Sequence, residues 1–150
     1  MREITRHPTV QVTASLVGGC LDRVTLSLGS AFILDCVEGF VQEALAAWLM
    51  NYAQGRWELF SLSTEYSPFF QKVASCLQAT RLGTVVTYGE LAALAGSPKA
   101  ARAVGNFCQG NRFPLLIPCH RVVPSTHQLG RFTPDPEIKS RLLAFEGVGK

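Results

Sequence analysis

The stretch Ile117-Pro118-Cys119-His120-Arg121 constrains the fold more than any other part of this 150-residue chain. Leu115 and Leu116 lead into it, and Val122 and Val123 lead out, so the run reads as a buried apolar segment. Set within it are a thiol, an imidazole and a guanidinium, groups that a core normally excludes. Burying one of them unpaired costs roughly 1–3 kcal/mol, and more for a charge. A chain that breaks its own hydrophobic pattern in this way marks a site.

Taken alone, Cys119 reads as inert packing, because free thiols are among the most buried side chains. The adjacent His120 and Arg121 shift that reading, since cationic neighbours favour the thiolate, which is the nucleophile. His120 alone reads equally well as a satisfied core histidine. Pro118 fixes its own φ and biases Ile117 towards extended geometry. Neighbouring side chains of an extended strand point to opposite faces, so direct Cys119–His120 bonding requires a turn or a bridging water.

The rest of the chain predicts an α/β (α+β) fold in two parts. Residues 1–63 form a small scaffold domain. Val10, Val12, Ala14 and Leu16 alternate, as do Val24, Leu26 and Leu28, with Gly18-Gly19 between them as a hairpin turn. Ala31 to Cys36 makes a third strand. Phe40, Ala44, Leu45, Trp48 and Tyr52 then keep helical spacing until Gly55. Residues 67–150 form a mostly helical second domain. Ser67-Pro68, Ser97-Pro98 and Asp135-Pro136 each open a helix as cap plus proline, and Thr87-Tyr88-Gly89-Glu90 has the form of a capping box. The helix after Thr87 turns Leu91 and Leu94 inward. Phe69, Val73, Cys76 and Leu77 line the first helix of this part, and Ile138, Leu142 and Phe145 the last. The two short helices joined across Gly96 read as a helix-turn-helix of winged-helix-like kind. On the second of them Ala100, Val104, Phe107 and Cys108 pack inward, whereas Arg102, Gly105 and Gln109 face out with Ala101 close by.

Charge separates the two parts. Residues 1–66 carry four basic and seven acidic side chains, a balance of −3, and residues 67–150 carry ten and four, a balance of +6. No Asp or Glu occurs between Leu91 and Pro134, a stretch that holds Lys99, Arg102, Arg112, Arg121 and Arg131. A solvated basic face is the plain explanation. A polyanion partner accounts better for an acid-free stretch of this length around a candidate nucleophile. The five cysteines, Cys20, Cys36, Cys76, Cys108 and Cys119, are odd in number and show no C-x-x-C spacing. They suggest neither a disulfide framework nor a zinc site, and a reducing compartment fits them. With no signal peptide or long apolar run, the expected location is cytoplasmic, or nuclear in a eukaryote.

Ile117-Pro118-Cys119-His120-Arg121-Val122-Val123 resembles the acceptor-cysteine motif of the O6-alkylguanine-DNA alkyltransferases. The similarity runs with the family's spacing from about Pro68 through Thr87-Tyr88-Gly89-Glu90 and Lys99-Ala100-Ala101-Arg102-Ala103-Val104-Gly105 to Glu146-Gly147. The resemblance implies single, irreversible alkyl transfer from guanine O6 to Cys119, by a monomer without metal or cofactor, acting on double-stranded DNA. His120 is then the base, oriented by Glu146, and Asn111 helps to place the thiol. Arg102 matches the finger that fills the extruded base's position, and Tyr88 the residue that helps rotate the nucleotide. Lys99, Ala101, Gly105 and Arg121 join them on the DNA side, and Val122, Phe132 and Thr133 on the base. The family's glycine-rich segment with its tyrosine is replaced here by Gly130-Arg131-Phe132-Thr133-Pro134, and His127 stands where a small turn residue is common. Two other classes stay open on the residues themselves. A DNA-binding regulator would leave Cys119 as packing, and a cysteine hydrolase would turn over.

Overall fold

The β-hairpin forms where the alternation puts it. β1 (Val10–Val17) pairs antiparallel with β2 (Cys20–Leu28), from Val10 opposite Leu28 to Val17 opposite Cys20. Gly18 and Gly19 turn the chain at φ +58 and +82, conformations that suit glycine. The structure is a computed structural model and describes residues 8–36, 40–62, 64–126, 130, 132 and 135–148. After β2 the chain rounds the start of β1, where Gly29 N–H donates to Thr9 O. β3 (Ile33–Asp35) then runs parallel to β1, giving the order β2-β1-β3. Val10, Val12 and Ala14 of β1 and Val24 and Leu26 of β2 are buried.

α1 (Phe40–Ala53) buries Leu45, Trp48, Leu49 and Tyr52. Ala44, expected on that face, is exposed, and Leu49 takes its place. The aromatic rings then continue across the core. Trp48 and Tyr52 stack at 5.6 Å, Trp57 meets Trp48 edge-on at 5.2 Å, and Tyr52 lies 5.2 Å from Phe145.

The C-terminal half consists of α2 (Pro68–Gln78), β4 (Val86–Thr87), α3 (Tyr88–Leu94), α4 (Ala101–Gln109), a 3-10 turn at Cys119–Arg121, β5 (Val122–Val123) and α5 (Pro136–Glu146). Ser67 caps α2, Asp135 caps α5, and Thr87 with Glu90 closes the capping box of α3. β4 and β5 pair in parallel. One cluster of buried side chains runs from Val10 in the hairpin to Leu142 in α5. Polar ties also cross it: Arg141 donates to the carbonyls of Thr9 and Gly29, and Arg112 O accepts from Val24 N–H.

Three further expectations are corrected. Leu94 is 66% exposed, because α3 buries an arc set by Leu91, Ala92 and Ala95. At roughly 100° per residue, Leu94 falls to one side of that arc. Ser97-Pro98 does not open α4. Residues 97–100 form a turn, with Ala100 N–H donating to Ser97 O, and α4 starts at Ala101 without a side-chain cap. The run before Cys119 is not extended. Leu115 sits at φ +75, and Ile117 N–H reaches back to Phe113 O.

Candidate functional site

The turns in this run present the thiol. Pro118, at φ −79 and ψ 69, is the centre of an inverse γ-turn closed by Cys119 N–H on Ile117 O at 2.7 Å. The 3-10 turn follows at once, with Arg121 N–H on Pro118 O. Asn111 braces both ends of the segment. Its Oδ1 accepts from Phe113 N–H at 2.9 Å, while its Nδ2 donates to Ile117 O at 2.9 Å and to Cys119 Sγ at 2.8 Å.

Cys119 lines the wall of a cavity of about 940 Å³. Tyr88, Ala101, Arg102 and Gly105 line it from α3 and α4, and Phe132 lines it as well. The thiol itself is only 4% exposed. Burial pushes its pKa well up, and contact with Cys108 adds to that, outweighing the opposing effects of Asn111 and the Lys139 ammonium. The resting thiol is neutral, so a reaction through sulfur requires a base.

His120 turns away from the cavity into the core. Its Nε2 meets Glu146 Oε2 at 2.7 Å, and its Nδ1, also buried, has no hydrogen-bond partner among the described residues. With Nε2 facing the carboxylate, Nδ1 is the ring nitrogen left to exchange a proton. Glu146 holds three further donors. Tyr52 Oη donates to Oε2 at 2.6 Å, Arg121 Nε to Oε1 at 2.9 Å and Arg121 Nη2 to Oε2 at 3.2 Å. Burial works to raise the Glu146 pKa, but His120 and Arg121 prevail and hold it down at about 2. These bonds offset the unfavourable placement of a carboxylate at the end of α5.

Arg121 is corrected from a DNA-contacting residue to a buried one. Its side chain is 0% exposed, spends its donors on Glu146 and Thr80, and lies 4.0 Å over the Trp57 ring. Val122, expected to line the substrate site, is fully buried; its N–H donates to Cys119 O and its carbonyl accepts from Lys139 Nζ at 2.7 Å. Lys99 is exposed. It is not among the residues lining the cavity. Thr133, with His127, Arg131 and Pro134, lies outside the described residues.

Three contributors escaped the sequence reading. Tyr52 comes from α1, and nothing in its spacing distinguishes it from a core aromatic. Cys108, expected to be packed, lines the cavity beside Cys119. Lys139, 1% exposed, shares a face of α5 with Glu146, and its seven-residue spacing from that glutamate was the available signal. Among the described residues no cluster of His, Cys, Asp or Glu could hold a metal ion, and no helix is long and apolar enough to cross a membrane.

Fold and site together define an α/β protein with a buried Cys–His–Glu constellation, its thiol opening on a cavity walled by a pair of short helices. Residues 68–148 match the model of the 6-O-methylguanine DNA methyltransferase DNA-binding domain, and the chain belongs to that family. The methylated-DNA–protein-cysteine methyltransferase of Homo sapiens is 42% identical over 110 residues, 67% of this chain and 53% of the relative. The chain thus spans about half the length of that relative. The O6-methylguanine-DNA methyltransferase of Pyrococcus kodakaraensis has the same fold, with a TM-score of 0.68 at 26% identity over 93% of this chain and 99% of that one. S. pombe Atl1, solved with damaged DNA containing O6-carboxymethylguanine, aligns at a TM-score of 0.50 and 28% identity over 56% of this chain and 80% of its own.

Proposed function

We propose that the protein repairs DNA by moving the alkyl group of an O6-alkylguanine onto Cys119, once per molecule. The observation that carries this reading is the Cys119 thiol, held by Asn111 on the wall of a cavity that Tyr88 and Arg102 also line. The His120–Glu146 pair stands immediately behind it. In the reaction the sulfur attacks the alkyl carbon, the carbon–O6 bond breaks, and guanine leaves. His120 Nδ1 takes the thiol proton through a water, and that proton neutralises the departing base. Glu146, fixed by Tyr52 and Arg121, holds the ring and stabilises the imidazolium while it exists. The product is a stable thioether, so each molecule is consumed in one transfer, and we take the protein to act as a monomer.

A guanine stacked in a duplex cannot reach a thiol on a cavity wall, so the nucleotide leaves the helix. Residues 67–150 make the DNA-binding and acceptor domain, with residues 1–63 as its scaffold. α3 and α4 serve as a helix-turn-helix. Small residues at Ala101 and Gly105 let the α4 backbone approach a groove, Arg102 occupies the vacated position, and Tyr88 crowds the target phosphate. The first-turn N–H groups of α4, left without a side-chain cap, can also receive a phosphate. Lys99 contributes charge near the same end. The cytoplasm, or the nucleus of a eukaryote, is the compartment that suits this work.

The test is mass spectrometry of the protein after mixing with duplex containing O6-methylguanine. The expected result is one added methyl group, on the peptide that contains Cys119, and none in Cys119→Ser, which still binds DNA. An unmodified Cys119 beside bound DNA would make the protein a lesion-binding regulator, and continued turnover would make it a hydrolase.

A further inference from the structure

We propose that Cys108 and Cys119 form a reversible disulfide, a redox modification site that shields the acceptor thiol when the protein meets a hydroperoxide. The two residues come from different elements, the last turn of α4 and the 3-10 turn, yet both line the same cavity. Asn111 ties the two together, its N–H donating to Cys108 O at 3.4 Å and its Nδ2 to Cys119 Sγ at 2.8 Å, and Cys108 lies near enough to act on the Cys119 thiol. A disulfide brings its sulfurs to about 2 Å, reached by rotation about the two Cα–Cβ bonds when the Cα atoms lie within about 7 Å. Asn111 lies in the segment joining the two elements and fixes the position of Cys119 Sγ, so the pair meets in a defined geometry.

The surroundings suit the chemistry. Lys139, buried close to both sulfurs, offers a positive charge that steadies a Cys119 thiolate once a base has formed it. Cys108 is half-buried and Cys119 buried, so the cavity gives a small oxidant access to the pair while larger thiols meet Cys108 first. Cys20, Cys36 and Cys76 do not line the cavity.

The steps balance with the hydroperoxide as oxidant. One thiolate attacks the peroxide oxygen, becomes a sulfenic acid and releases water or an alcohol. The second thiol attacks that sulfur, the disulfide forms, and a second water leaves. In sum, two thiols and one hydroperoxide give one disulfide, with two electrons passed to the peroxide. Without a neighbour the sulfenic acid proceeds to sulfinic acid, which ordinary thiol reductants do not reverse. For a protein that uses its thiol once, that would destroy the acceptor unspent. This protective consequence rests on the acceptor role proposed for Cys119, whereas the disulfide itself does not.

The full chain is treated with hydrogen peroxide, blocked with N-ethylmaleimide, and digested without reductant. The expected product is the Cys108 peptide linked to the Cys119 peptide, and dithiothreitol restores nearly all of the methyl-accepting capacity of the same protein before oxidation. Cys108→Ser and Cys108→Ala, each compared with its own unoxidised form, give no link. They carry sulfinic acid on Cys119 and recover a several-fold smaller share of their capacity, whereas Cys36→Ser behaves like the parent. No link, with equal sulfinic acid on Cys119 in parent and variants, overturns the proposal. If the link forms but the unoxidised protein accepts no methyl group, the disulfide stands and the acceptor role falls.

Discussion

Replacing Arg121 with methionine tests whether this cation belongs to the core or to DNA. Methionine keeps much of the length and apolar stem but removes the charge and every donor. The structure assigns those donors to Glu146 Oε1 at 2.9 Å, Glu146 Oε2 at 3.2 Å, and the Thr80 hydroxyl and carbonyl at 2.8 and 3.1 Å. It also loses the guanidinium 4.0 Å over Trp57. Removing one partner of a buried ion pair costs about 3–5 kcal/mol, because the other charge stays buried. Glu146 keeps Tyr52 and His120, which places the expected loss towards the lower end of that range. A domain of ordinary stability, about 5–15 kcal/mol, stays folded at low temperature after such a loss. Urea unfolding followed by tryptophan fluorescence reads it, because Trp57 reports directly on the site. DNA affinity measured across a salt series reads the other half. The slope against log salt should match that of the parent, whereas Lys99→Met should lower its magnitude by about 0.9, one phosphate contact. Stability within about 1 kcal/mol of the parent, together with a slope reduced by one contact, would refute the buried assignment.

Glu146 carries a pH dependence of definite sign. Its pKa is held at about 2 in the fold against the usual 4.5, so its stabilisation is fully present above about pH 4.5 and is lost as pH falls towards 2. Linkage puts the amount at about 3 kcal/mol, and acid unfolding of Glu146→Gln should lack that part of the loss; an unchanged acid profile would show that another group dominates. Arg102→Ala should slow transfer from duplex DNA far more than reaction with free O6-benzylguanine, which needs no extrusion; equal losses would make Arg102 structural. Phe132 lines the cavity without a hydroxyl, so Phe132→Tyr should speed single-turnover transfer from O6-methylguanine in DNA. The gain should fall below the 2.7–4 kcal/mol or so of a well-placed oxyanion donor, and an unchanged rate would mean that the leaving guanine already has its donor.

The sequence by itself determined the local elements and the chemistry on offer. Alternation set the hairpin, and the caps at Ser67, Thr87 and Asp135 set three helix starts, because those signals act over a few residues and no distant packing overrides them. The thiol and imidazole were conspicuous at Cys119 and His120 because an apolar run surrounds them. What only the tertiary structure decided is which polar groups share a partner. Arg121 resembled Lys99 and Arg102 as one more cation in an acid-free stretch, yet its carboxylate arrives from Glu146, 25 residues away. Tyr52 reaches the same carboxylate across 94 residues, and Cys108 meets Cys119 only because Asn111 folds the segment between them back on itself. Ser97-Pro98 carried a local helix-start signal that the turn before α4 overrode, and Leu94 a local apolar signal that the burial of Leu91, Ala92 and Ala95 overrode. Periodicity reports the face of one element. The pairing of buried charges depends on how separate elements pack, and that contact is absent from any window of sequence short enough to read.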